Sequence, residues 1–406
     1  MSQQDLANRT TYSRSSIANI ETGLQHVNRA FWDTADAHLG ADGELLHGYD
    51  AAETLQRTHQ RPVRQPGTAI GRGRVAEPPT TVDLSRASLT RPEPALPSPD
   101  TLEVETSEWG SFSRVTTMLA QQRQAVQPGA LLSLVEAHRD SLSLLYRKSK
   151  RDPLRADIGA MLAEASIVAS RLWSAQGNRT LALAHCAYAR QLADRVGNVR
   201  VGATARIFES NLYSEAATLI EEDGDIMIGL RFLEEAATAA DYLTPAARAR
   251  IAAEQAQAYA ALKLKNETES ALGRAAEAVD EMTSEHCVGL YSDWSPARLL
   301  VYRGTCQTLL EEFPKAVDTL QKVTKQLARD EQNSNVLLAA RVDLASAYAG
   351  SGQLEISCEL LADTYSKLKM VGNRRGLGRA ERARDRLSPW EGERAVAALD
   401  ESMTAA

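Results

Sequence analysis

Between residues 112 and 387 the chain repeats one unit: two amphipathic runs with a short break between them. Apolar residues recur at helical spacing within each run. The first pair covers 157–175 and 180–196, broken at Gly177-Asn178. The next covers 201–219 and 227–243, split by the acidic stretch from Glu221 to Gly224. Three more follow, at 245–264 with 267–282, at 296–311 with 313–327, and at 336–349 with 353–370. A pair this short cannot bury its apolar face alone, so it must stack on its neighbours. The expectation is an all-α fold whose larger part is a helical solenoid.

Composition agrees with that reading. Hydrophobic residues make up 43% of the 406, charged residues 24% and aromatics 5%. Ala, Leu, Arg and Glu, which lose least on entering a helix, dominate. The net charge of −7 argues against wholesale coating of nucleic acid, but leaves room for a local basic element. Cys186, Cys287, Cys306 and Cys358 are scattered with no CxxC pair, as in a reduced, cytoplasmic protein. No basic-then-apolar leader and no long apolar run is present, so no membrane partner is expected.

Four segments are expected: a small N-terminal unit at 1–50, a linker at 51–111, the solenoid at 112–390 and a tail at 391–406. The linker is set apart by composition. Pro62, Pro66, Pro78, Pro79, Pro92, Pro94, Pro97 and Pro99 crowd it, and Arg57, Arg61, Arg64, Arg72, Arg74, Arg86 and Arg91 make its first part basic. Such a stretch reads as a solvated spacer; as an arm, it would add salt-sensitive phosphate contacts.

In the N-terminal unit, Leu6, Ala7 and Thr10 form a short stripe after Ser2. Ser13 offers a second N-cap, Ile17, Ala18 and Ile20 a second helix, and Gly23 its end. Two short helices joined by a tight turn make a helix-turn-helix. Residues 2–23 resemble the Cro/phage-repressor (XRE) family in the series Gln3, Leu6, Ala7, Ser13, Ser16, Ile17, Ile20, Glu21 and Gly23. The resemblance implies that the second helix enters the major groove, with Arg14, Ser15 and Asn19 at base-reading positions. Arg suits guanine O6 and N7, and Asn suits adenine N6 and N7. Gln3 and Ser13 match positions that hold the phosphate backbone. Thr11 stands where the family has a turn glycine. The family also has a helix before the position of Ser2, and this chain starts there. Upstream residues or another segment must then cover Leu6, Ile17, Ile20 and Trp32, or the unit no longer binds DNA.

The solenoid resembles tetratricopeptide repeats. Ala256 to Tyr259 and Ala345 to Tyr348 fit the small-then-Tyr signature, although the pairs recur at about forty residues rather than about 34. The two resemblances together imply a DNA-binding transcriptional regulator. It would act as a homodimer on half-sites about 34 Å apart, and its solenoid would sense a peptide, a small ligand or a protein partner. The rival reading is an interaction scaffold with a degenerate N-terminus.

Other motifs carry less. The neighbours His185-Cys186 and His286-Cys287 point about 100° apart on a helix and lack zinc spacing. Gly71 to Arg74 and Gly372 to Gly378 do not sit between a strand and a helix, as a nucleotide loop would. No catalytic constellation, metal site or cofactor site is expected. Asn178, Asn211 and Asn266 carry no assignable ligand role, and Trp109, Trp173, Trp294 and Trp390 are candidates for inter-helix packing.

Overall fold

Several breaks between helices share one turn geometry. At the first, Gly177 takes φ +76° and donates to Ser174 O, while Asn178 N donates to Trp173 O. This is the Schellman arrangement, which satisfies the last carbonyls of a helix. Asn178 then starts the next helix, its side chain accepting from Leu181 N at 3.0 Å. The same paired bonds and the same left-handed residue recur at Gly197, Lys263, Glu311, Gly352 and Gly372. Asn198 and Asn373 cap as Asn178 does. Each of these six connections is therefore tight, because one residue closes a helix and the next opens another.

The computed structural model describes residues 7, 17, 20, 29–41, 43–47, 106–124, 126–150, 152–220, 224–329 and 334–405. The chain divides into two compact units, Met1–Arg91 and Pro92–Ala406. The expected linker, up to residue 105, lies outside the described residues.

In the first unit Ala7, Ile17 and Ile20 are helical, and α1 spans Arg29–Leu39. The second unit is all-α among its described residues and forms a helical solenoid. It opens with α2 (Thr106–Gln122) and α3 (Pro128–Lys148). The pairs follow: α4 (Asp152–Ala175) with α5 (Arg179–Arg195), and α6 (Val199–Glu215) with α7 (Ile226–Ala237). Next come α8 (Pro245–Ala261) with α9 (Lys265–Asp280), and α10 (Pro296–Leu309) with α11 (Phe313–Leu327). Last are α12 (Ser334–Gly350) with α13 (Leu354–Met370), and α14 (Arg374–Asp385) with α15 (Arg394–Ala405).

Two layers result, and sequence explains which helix enters which. The first helices of the pairs, α4, α6, α8, α10, α12 and α14, each touch the next in order. All but α14, which buries Ala380 and Ala383, are buried over much of their circumference: α8 is rich in alanine and buries residues all round. The second helices lie outside and bury one stripe. In α11 that stripe is Ala316, Leu320, Val323 and Leu327, worth about 2 kcal/mol for each of the three larger side chains. Layer contact is close at Gly304 of α10, where an added Cβ would stand 2.5 Å from Leu320 Cγ.

Two expectations need correction. Residues after 390, expected to be a tail, form α15, which docks by burying Val396 and Leu399 and packing Met403. Their spacing of three and four residues is an apolar helical stripe that the tail reading passed over. The segment expected as one long run at 201–219 changes pitch. After Glu215, Ala216–Ile220 forms a π-helical turn, and α7 is followed by the short 3₁₀ turn Ala240–Tyr242.

The array also bends back on itself. Helix α14 touches α4 and the π-helical turn, so the last first-layer helix meets the start of the layer.

Candidate functional site

The first unit builds a small core around α1. Ile17 and Ile20 are buried with Phe31 and Ala35, and Ala7, Trp32 and Leu45 pack against them. Residues that follow Gly23 therefore help cover Ile17 and Ile20. Asp36 organises the chain after α1, accepting from Gly43 N at 2.7 Å, Leu45 N at 2.9 Å and Leu46 N at 3.3 Å. These amides, Gly43 foremost, hold its carboxyl below the usual range, against a smaller upward push from burial. Gln3, Ser13, Arg14, Ser15 and Asn19, the expected DNA contacts, lie outside the described residues.

The second unit holds the polar chemistry. Where α14 returns to α4 and α6, side chains from many helices line a partly open cavity of about 140 Å³. Six arginines line it: Arg123, Arg171, Arg250, Arg298, Arg375 and Arg379. Glu215 is held by two of them. Arg375 Nη2 donates to Glu215 Oε2, and Arg379 Nη1 to Glu215 Oε1 at 3.3 Å. Burial pushes the Glu215 carboxyl up, but Arg375 and Arg379, helped by Arg171 and Arg298, outweigh it and hold it at about 2. Arg375 also donates to Ser174 Oγ at 3.0 Å and to Asn211 Oδ1 at 2.8 Å, so one side chain ties α14 to both α4 and α6. Arg379 forks onto Asp343 of α12 at 2.5 to 3.0 Å.

Two further pairs close the other side. Arg250 and Glu254 of α8 meet at 2.8 Å, both almost fully buried, with Ser210 Oγ and Tyr302 Oη donating to the same carboxylate. Arg123 meets Asp293 at 2.6 Å and donates to Gly289 O and Leu290 O, each at 3.0 Å, fixing the loop before α10 beneath α2. Burial raises the Asp293 carboxyl, but Arg123, Arg298 and Arg250 bring it well below the ordinary range. Arg171 has a neutral partner instead. It donates to Asn211 Oδ1 at 3.0 Å, and burial, then the charges of Arg375 and Arg250, lower its guanidinium to about 9.

The His-Cys neighbours take ordinary structural roles. His185 Nε2 lies 3.2 Å from Glu136 Oε1, and Cys186 is buried beside Ser170, its thiol pushed up to about 12 by burial. His286 closes a capping box with Thr283. Among the described residues, no cluster of three or more His, Cys, Asp or Glu could hold a metal ion. Also among them, no helix is long and apolar enough to cross a membrane. Asn178 caps a helix, whereas Asn211 lines the cavity. Trp294 stacks on Tyr302 with ring centroids 5.8 Å apart, and Trp173 donates to Glu136 Oε1 at 2.9 Å.

None of the cavity arginines was singled out from sequence. A signal was present in Arg250, which stands in an alanine-rich helix that buries nearly every position. A charge there must meet a partner inside the protein.

Residues 1–47 match a helix-turn-helix domain family, a DNA-binding type of unit. No curated protein matches the chain.

Proposed function

We propose that the protein is a sequence-specific transcriptional regulator of XRE type, with a tetratricopeptide-like solenoid that senses a peptide, a small ligand or a protein partner. The match of residues 1–47 to a helix-turn-helix domain carries this reading. The second helix of that domain would read bases through Arg14, Ser15 and Asn19, while Gln3 and Ser13 hold phosphates. A homodimer would present two such helices to half-sites about 34 Å apart. The paired helices, the small-residue contacts between layers and the enclosed first layer support kinship with tetratricopeptide repeats. The first-layer helices begin at Asp152, Val199, Pro245, Pro296, Ser334 and Arg374, wider than the period of about 34 of that repeat. Sensing would work by differential affinity of the ligand for two arrangements of the solenoid.

The test is fluorescence anisotropy of the full chain on its own upstream DNA across a salt series, with Arg14→Ala and Asn19→Ala in parallel. Saturable binding that weakens with salt, and that loses preference over unrelated DNA in both variants, supports the reading. Binding that neither variant changes refutes those two residues as base readers. No binding at all leaves the partner-binding scaffold as the working account.

A further inference from the structure

The charges around the solenoid cavity do not balance. Its six arginines face the lining carboxylates Glu215 and Asp293, with Glu254 and Asp343 paired from behind. Two positive charges are in excess. They belong to Arg171 and Arg298, which have no carboxylate within ion-pair distance among the described residues. Arg171 donates to the amide oxygen of Asn211, which Arg375 shares, and its guanidinium sits 5.4 Å from the Phe208 ring centroid. The Arg298 Nε is buried without a hydrogen-bond partner, and its guanidinium sits 5.3 Å from the Tyr302 ring centroid. Both side chains are half-buried and line the partly open cavity.

A half-buried guanidinium without a counter-charge carries a desolvation cost, and protein interiors pair such groups. Here the partner must come from outside. We propose that this cavity binds a compact dianion, a phosphate monoester or a short dicarboxylate, between Arg171 and Arg298. The size fits. At about 10–15 Å³ of such volume per water, 140 Å³ admits roughly ten small atoms, too few for a folded partner or a long peptide. The chemistry also fits, because guanidinium forks match carboxylate and phosphate oxygens in pairs. Asn335, Asn373 and Gln257 add neutral polar groups on the lining, and Val301, Val336 and Leu368 form an apolar side. Burial first, and then the positive charges of Arg375 and Arg250, lower the affinity of Arg171 for its proton, and a bound dianion would relieve the second of these.

This inference names the ligand class for the sensing reading above and rests on it only for what the ligand does to DNA binding. The ligand is therefore tested without DNA. The full chain is titrated by calorimetry and thermal shift with sodium phosphate and, separately, sodium succinate, each against sodium chloride at equal ionic strength. Saturable binding of one anion beyond chloride is expected, and the anion that binds identifies the source. Arg171→Gln and Arg298→Gln should each weaken it about tenfold, while Arg171→Lys should keep most of it. Glu215→Gln, which adds to the positive surplus, should strengthen it, an outcome that a loss of folding cannot imitate. Equal effects of all three salts, or unchanged affinity in both arginine-to-glutamine variants, overturns the inference. Anion binding with no DNA binding sinks only the regulator reading.

Discussion

Glu215→Gln tests the join that closes the helical array. The variant keeps the size and hydrogen-bonding atoms of the side chain but removes the charge that Arg375 and Arg379 share. In the folded chain the Glu215 carboxyl is held at about 2, against an ordinary 4.5. A gap of about 2.5 units, at 1.36 kcal/mol each, is worth about 3 kcal/mol. Removing one partner of a buried pair costs about 3–5 kcal/mol by an independent route, since it leaves uncompensated charge behind. Because the folded value is depressed, this stability is fully present above pH 4.5 and is lost as pH falls through 2. At pH 3 only about 1 kcal/mol should remain. The assay is thermal unfolding of wild type and variant, followed by circular dichroism at both pH values. At about 2 °C per kcal/mol for a domain this large, the variant should melt about 6 °C lower at pH 7 and about 2 °C lower at pH 3. An unchanged melting point at pH 7, or the same deficit at both pH values, would refute the assignment of Glu215 as the charged centre of the join.

Three further outcomes are expected. Gly304→Ala places a methyl group against Leu320 at a layer contact with no room to spare, and should cost about 1–3 kcal/mol in chemical denaturation; a neutral result would mean that α10 and α11 can move apart. Glu311 holds φ +62° without being glycine and pairs with Lys263, a second left-handed residue, across an exposed 2.6 Å bridge. Glu311→Gly should raise stability by up to about 1 kcal/mol, because the backbone gain exceeds the worth of a surface pair. A clear loss would show that the bridge outweighs the strain. Burial raises the Cys186 thiol to about 12, and Cys306 and Cys358 are also buried, so a thiol reagent at pH 8 should label one group, Cys287, well before the rest. Two or more equally fast thiols would contradict the burial of Cys186, Cys306 and Cys358.

Much of the fold was legible because its causes are local. The Gly177-Asn178 break is a helix stop followed at once by a helix start, and those bonds span only a few residues. Pro245 and Pro296 open α8 and α10 where the sequence placed them, since proline suits a first turn. Lys263 and Glu311 show where this legibility thins, because neither residue type announces a left-handed turn. The π-helical turn after Glu215 was equally hidden, since nothing in Ala216 to Ile220 marks a change of pitch. The glycines of residues 372–378, set aside from sequence as a nucleotide loop because they follow a helix, have structural roles. Gly372 ends α13, and Gly376 and Gly378 sit where α14 passes close to Leu368 and Ile220.

The sequence by itself therefore determined an all-α chain of paired helices with fixed turns and a helix-turn-helix domain at its start, because periodicity and capping act over a few residues. Only the tertiary structure decided that α14 returns to α4 and α6 and that six arginines share one cavity. Glu215 and Arg375 are separated by 160 positions, and no local rule links them. Their meeting depends on how small rotations between successive helix pairs accumulate along the array, and that sum is set by packing across every layer contact at once.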